Sequence, residues 1–142
     1  MVREIIKDLE ILQQKSEKFE LGTDDHLIQD LIDTATVHSM ESTGGCVGLA
    51  APQIGVHRRA IVAMIGNKFI PFINPTIIKK SPETFIATEG CLSLDGKREV
   101  KRHKNIKVAY TTPQGKNKIQ AFSGFPAQII QHECDHLNGI LI

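Results

Sequence analysis

The chain has 142 residues, enough for one domain with a real core and too few for two. Its charge is nearly balanced at +1, which argues against a general polyanion binder such as a DNA-coating protein. No apolar run is long enough to span a bilayer, and no signal-peptide pattern opens the chain. Three cysteines, Cys46, Cys91 and Cys134, make an odd set with no paired spacing. A reducing, cytoplasmic setting with free thiols is therefore expected, with no membrane.

In chain order, residues 1–20 read as an extended arm passing into a short helix, carried by Val2, Ile5, Ile6, Leu9, Ile11 and Leu12. Leu21-Gly22-Thr23-Asp24-Asp25 is a break with a candidate N-cap. From there Leu27, Ile28, Leu31, Ile32, Ala35 and Val37 recur at helical spacing, predicting an amphipathic scaffold helix that ends near Ser42 or Thr43. Gly44 to Gly55 is dominated by small residues, so its backbone can approach something closely. It is no phosphate loop, since Gly-Lys-Ser/Thr and the preceding strand are both missing. Gln53 is the one polar side chain there; it either donates to a developing oxyanion or ties two loops together.

Strands are predicted at Arg59–Ile65 and Lys68–Ile73 around a Gly66-Asn67 turn, with Asn74-Pro75 ending the second. Further strands follow at Thr76–Lys79 and Thr84–Thr88. Cys91 comes after a glycine at the end of a β segment: an exposed metal-binding thiolate, or a small buried apolar residue. Asp95-Gly96 reads as a turn. Lys97, Arg98, Lys101, Arg102, Lys104 and Lys107 then crowd a segment running to Tyr110, with Val100, Ile106 and Val108 facing inward. Such a run is a solvated face, a brace for acidic residues, or a contact for a peptide or ribosomal RNA backbone. Thr112-Pro113-Gln114-Gly115 is a hairpin turn and Ile119–Phe122 a strand. A last helix begins at Ser123-Gly124-Phe125-Pro126, buries Ala127, Ile129, Ile130 and Cys134, and closes at Asn138-Gly139. The predicted fold is one α+β domain over residues 1–142, with short mixed or antiparallel sheets around a central C-terminal helix.

That helix carries Gln131-His132-Glu133-Cys134-Asp135-His136, which contains H-E-x-x-H. On a helix, His132 and His136 project from one face and can share a metal ion, with Glu133 beside it as a general base. The bland alternative is a solvated helix whose histidines do nothing. Only six residues follow His136 and none is a ligand type, so the third ligand must lie upstream, with Cys91 the best candidate. Cys, His and His leave a fourth position open, as catalytic sites do.

Three segments resemble the signature motifs of the peptide deformylase family. Val47-Gly48-Leu49-Ala50-Ala51-Pro52-Gln53 resembles G-x-G-x-A-A-x-Q, Glu89-Gly90-Cys91-Leu92-Ser93 matches E-G-C-x-S, and Gln131 to His136 matches Q-H-E-x-D-H, followed by Leu137-Asn138-Gly139. The resemblance runs from about residue 20 to the end. It implies removal of the formyl group from N-formyl-methionyl nascent peptides, with release of formate. It makes Cys91, His132 and His136 the ligands of one divalent metal, natively Fe²⁺, with Zn²⁺, Ni²⁺ or Co²⁺ accepted. Metal-bound water would attack the formyl carbon, Glu133 would pass the proton, and Gln53 and the Leu92 N–H would donate to the oxyanion. Substrate contacts would come from Val47, Gly48, Gly90, Arg98, Phe125 and Ile129, although Val47, Phe125 and Ile129 also read as ordinary core. Arg102 is expected to pair with Glu89, and Asp135 to fix structure around the helix. Two other functions fit the motifs: a metallo-amidase acting on another formyl or acyl amide, and a catalytically silent metal-binding homologue.

The sequence departs from the family pattern in three places. Position 46 is Cys where the first motif begins with Gly, and the N-terminal arm lacks the usual Asp-Pro stretch. Some members also continue into a C-terminal helix that docks on the ribosome, so only transient ribosome contact is expected here.

Overall fold

The computed structural model describes residues 1–142. An extended arm leads into a single turn, α1 (Leu9–Leu12), whose N-terminus Asp8 caps by accepting from Glu10 N–H. Helix α2 (His26–Val37) follows, burying Leu27, Ile28, Leu31 and Ala35. Asp25 precedes it but does not cap it; Asp25 and Asp24 instead accept from Gly22 and Glu20 N–H within the preceding turn. The helix stops at Val37, earlier than the periodicity predicts. Thr36 and Ser39 hydroxyls bond back to Ile32 and Thr36 carbonyls, a competition that weakens helix ends. The His38 carbonyl then accepts from Cys46 N–H at 2.8 Å, closing a loop around a short 3₁₀ turn at Glu41–Thr43.

Seven strands follow: β1 (Gly48–Ala50), β2 (Ala60–Ile65), β3 (Lys68–Lys80), β4 (Thr84–Cys91), β5 (Leu94–His103), β6 (Asn105–Thr111) and β7 (Asn117–Ser123). A 3₁₀ turn at Ala51–Ile54 leaves β1. Strands β1-β2-β3-β6-β7 form one sheet in that order, and β4 and β5 form a separate hairpin. Every strand ladder is antiparallel, so the mixed sheet left open by the sequence does not occur.

Two turn signals act differently from expectation. Asn74-Pro75 bends β3 rather than ending it: the register shifts there, and Asn74 takes φ 48°. Its amide holds Phe19 at both ends, accepting from Phe19 N–H and donating to Phe19 C=O. Asp95-Gly96 is a bulge inside β5, with Gly96 at φ 74°, because the turn falls at Leu92-Ser93. β1 is a strand too short for periodicity to reveal.

Helix α3 (Gly124–Leu137) closes the fold. β2 shows why it sits at the centre. Ile61 and Ala63 face a core shared with Ile130 and Leu137 of α3, while Ala60 and Val62 face the core around α2. A strand buried on both faces reads as a continuous apolar run, as this one does. Arg59 secures the end of α3, donating to the Leu137 carbonyl at 3.0 Å and to Asn138 Oδ1 at 2.9 Å. No helix is long and apolar enough to cross a membrane.

Candidate metal centre and its cleft

α3 places His132 and His136 one turn apart, with ring centroids 5.1 Å apart. The end of β4 brings Cys91 beside them. His136 Nε2 stands 3.4 Å from Cys91 Sγ, and the donor atoms of Cys91, His132 and His136 lie within 4.8 Å of one another. A thiolate and an imidazole on one tetrahedral ion stand roughly 3.6 Å apart, so this donor set fits a metal ion.

The electrostatics point the same way. Burial pushes His136 down to about 3, with the His132 charge adding to the effect, which keeps it neutral as a ligand must be. Burial also opposes a charge on His132, yet Glu133, Cys91 and Glu89 raise it to about 10. The acidic groups around the His132 ring favour positive charge there.

A chain of buried ions holds the rings. Arg102 makes a two-pronged pair with Glu89, at 2.9 and 2.6 Å, and reaches Asp135 at 2.7 Å. Burial would push the Glu89 carboxyl up, but Arg102 and His132 hold it at about 2. Ionised Glu89 accepts from His132 Nδ1 at 2.8 Å, which leaves Nε2 free to face the centre. The expected pairing of Arg102 with Glu89 is thus present, and Asp135 extends it. Gln131 ties α3 to the hairpin by accepting from His103 N–H and donating to its carbonyl.

Glu133 is 3% exposed, and its Oε1 has no hydrogen-bond partner. Burial, moderated by His132, raises its carboxyl to about 7, near the value suited to proton transfer at neutral pH. Gly48 explains the small-residue segment: a Cβ there would stand 2.6 Å from Glu133 Oε2 and 2.7 Å from Ile129 Cγ2. Gln53 accepts from Ala50 N–H through Oε1, which fixes its amide so that Nε2 points at the centre. Nε2 donates to Cys91 Sγ at 3.3 Å and Ser93 Oγ at 3.2 Å. Gln53 therefore ties two segments together and also faces the site.

These residues open into a cavity of about 700 Å³. Val47, Gly48, Gly90, Leu92, Phe125 and Ile129 all line it. Arg98 does not. It is exposed, opposite Glu89 in the β4–β5 register, and Lys97 is the basic residue on the cavity. One position in a strand changes the face, and the bulge at Asp95-Gly96 was not legible. Gln128 and Ser93 were also missed. Gln128 lies one turn before His132 on α3, a spacing that could have found it; Ser93 stood in a motif without an assigned contact. Cys46 lines the cavity as a buried thiol donating to the Gly48 carbonyl at 3.2 Å, and burial pushes it up to about 12.

A thiol and two imidazoles converging on one point, with a buried carboxyl alongside, define the class of hydrolases that use a metal ion. Residues 2–142 match the sequence profile of the polypeptide deformylase family. Peptide deformylase of Clostridium beijerinckii is 46% identical over 142 residues, covering 100% of both chains. The crystal structure of a class I type b peptide deformylase from Acinetobacter baumannii with Met-Ala-Ser bound superposes with a TM-score of 0.85, at 35% identity over 99% of this chain and 97% of that one. The Thermotoga maritima peptide deformylase structure gives 0.85 at 34% identity, over 99% and 95%. The chain belongs to the polypeptide deformylase family, enzymes of protein biosynthesis that remove the N-formyl group from nascent polypeptides.

Proposed function

We propose that this single domain hydrolyses the formamide of N-formyl-methionyl peptides in the bacterial cytoplasm, in transient contact with the ribosome. Cys91, His132 and His136 would hold one divalent ion, Fe²⁺ natively, with Zn²⁺, Ni²⁺ or Co²⁺ able to replace it; a sulfur and two nitrogens suit all four. Bound there, such an ion would supply Lewis acidity, the chemistry that polarises an amide oxygen and brings the pKa of water to about 7.

The chain's own groups do the rest. Water's oxygen bonds to the formyl carbon, and Glu133 takes the proton that water loses. The carbon–nitrogen bond then breaks, Glu133 hands its proton to the leaving nitrogen, and formate and a free amine result. Gln53 Nε2, released from Cys91 or Ser93, and the Leu92 N–H donate to the oxygen where negative charge grows. Val47, Phe125 and Ile129 give the methionine side chain an apolar seat, Gly48 and Gly90 leave room for the peptide backbone, and Lys97 takes the place expected of Arg98.

The observation that carries this reading is the unpartnered carboxylate oxygen of Glu133, buried beside three converging ligand atoms. The Met-Ala-Ser held by the Acinetobacter baumannii relative supports a methionyl peptide as occupant of the cleft. Formate release from formyl-Met-Ala-Ser, compared with formylated amines lacking methionine, tests the substrate class. Preference for the peptide supports deformylase action; equal or better turnover of the simple amines would replace it with a broader formamidase.

A further inference from the structure

Gln53 uses every polar group of its side chain within the fold. Its Oε1 accepts from Ala50 N–H at 3.0 Å, so the amide nitrogen faces the other way. Nε2 has two hydrogens to give; one serves Cys91 Sγ at 3.3 Å and the other Ser93 Oγ at 3.2 Å. Those two acceptors flank Leu92, at the tip that joins β4 to β5. Leu92 N–H itself has no acceptor in the chain. The Leu92 side chain packs on the core around α2, and so close to Gly44 that a Cβ there would stand 2.6 Å from Leu92 Cδ2. The tip is thus held by packing, and Gln53 is bonded to the tip on either side of a free N–H.

The two bonds are not equivalent. Gln53, Cys91 and Leu92 line the metal cavity, and Ser93 does not. The Cys91 bond is therefore on the cavity side, where an incoming oxygen can take it over, while the Ser93 bond lies behind it. Sulfur is also the weaker acceptor, so the Cys91 bond is the one to yield. Ser93 is 4% exposed and Gln53 2%, and the bond to Gln53 is the one hydrogen bond that the Ser93 hydroxyl makes. A buried hydroxyl with a single partner has no other polar task in the fold. Once the Cys91 bond is given to an oxygen, Ser93 alone keeps the amide nitrogen in place.

We infer that Ser93 is a positioning residue: its hydroxyl clamps the Gln53 amide beside the Leu92 N–H, so that both donors meet one developing oxyanion. This rests on the deformylase reading above and deepens it. Two readouts test it. Hydrogen exchange of the Gln53 side-chain amide, followed by NMR in Zn²⁺-loaded protein, reads the clamp without any turnover. Exchange should be slow in wild type and at least roughly tenfold faster in Ser93→Ala. Formate release from formyl-Met-Ala-Ser reads the consequence. Ser93→Ala should lose roughly 10- to 100-fold in kcat, with KM within about twofold of wild type and its metal still bound, as for an interaction made in the transition state. Ser93→Thr, which keeps the hydroxyl, should recover most of that rate. In a Gln53→Ala background, Ser93→Ala should change kcat by less than about twofold, because the group it positions is gone. A merely structural serine would cost the same in both backgrounds. Should Ser93→Ala fail to fold, Ser93→Cys, with its weaker acceptor, carries the same comparisons. Unchanged exchange without the hydroxyl, or equal kcat losses with and without Gln53, would overturn the inference. Metal-loaded wild type with a protected Gln53 amide and no turnover would overturn the deformylase reading and leave the clamp standing.

Discussion

Gly48 and Glu133 are in backbone-to-side-chain contact so close that a Cβ at position 48 would stand 2.6 Å from Glu133 Oε2. The first motif thus acts as a wall that fixes where the buried carboxyl points. Gly48→Ala should displace Glu133 or Ile129 at a cost of about 1–3 kcal/mol in stability. Misplacing the proton carrier should cut turnover by roughly 10- to 100-fold while one equivalent of metal stays bound. Steady-state kinetics beside metal analysis check this; full activity in the variant would show that Glu133 does not depend on that wall.

Arg102 is the hub of the buried ion chain, with Glu89 on one side and Asp135 on the other. Arg102→Met should leave Glu89 buried and uncompensated, at a cost of about 3–5 kcal/mol. Glu89, which orients the His132 ring, loses the two-pronged Arg102 bond that holds it in place, so metal affinity should fall by roughly 10- to 100-fold. Chemical denaturation and metal titration measure the two effects. Adding Glu89→Gln to Arg102→Met should recover part of the stability and none of the affinity.

Cys46 carries a sign-definite pH effect. Its thiol is about 12 in the fold against an ordinary 9.0, so the folded state holds the proton more tightly than the unfolded chain does. The associated stability is complete below the ordinary value and is lost as pH rises towards 12. Stability measured from neutral pH to pH 11 should therefore decline less in Cys46→Ala than in wild type. Parallel curves for the two proteins would contradict this.

The converging Cys91, His132 and His136, the buried Glu133 and part of the cavity lining were legible because chemistry at fixed spacing survives without a fold. The four-residue step from His132 to His136 needs only a helix, and the lack of any ligand after His136 sends the search upstream to Cys91. Places where the sequence misled share a cause: the deciding contact is a partner that the local pattern does not name, near or far along the chain. Asn74 looks like a strand terminator until its amide is seen holding Phe19. The predicted helix runs on to Ser42 or Thr43, but the His38 carbonyl is taken by Cys46. Asp95-Gly96 has turn composition in a bulge, and that displacement exchanges Lys97 for Arg98 at the cavity.

The most direct test of the central claim is formate release from formyl-Met-Ala-Ser by protein purified without oxygen and loaded with Fe²⁺, with bound metal counted in the same samples. Wild type, Glu133→Ala and Cys91→Ala are compared. We expect wild type to turn over with one metal bound. Glu133→Ala should keep its metal and lose at least roughly 100-fold in rate, the scale of a positioned acid–base group. Cys91→Ala should lose the metal itself. Turnover of Glu133→Ala within a few-fold of wild type, or a full metal equivalent in Cys91→Ala, would contradict the account.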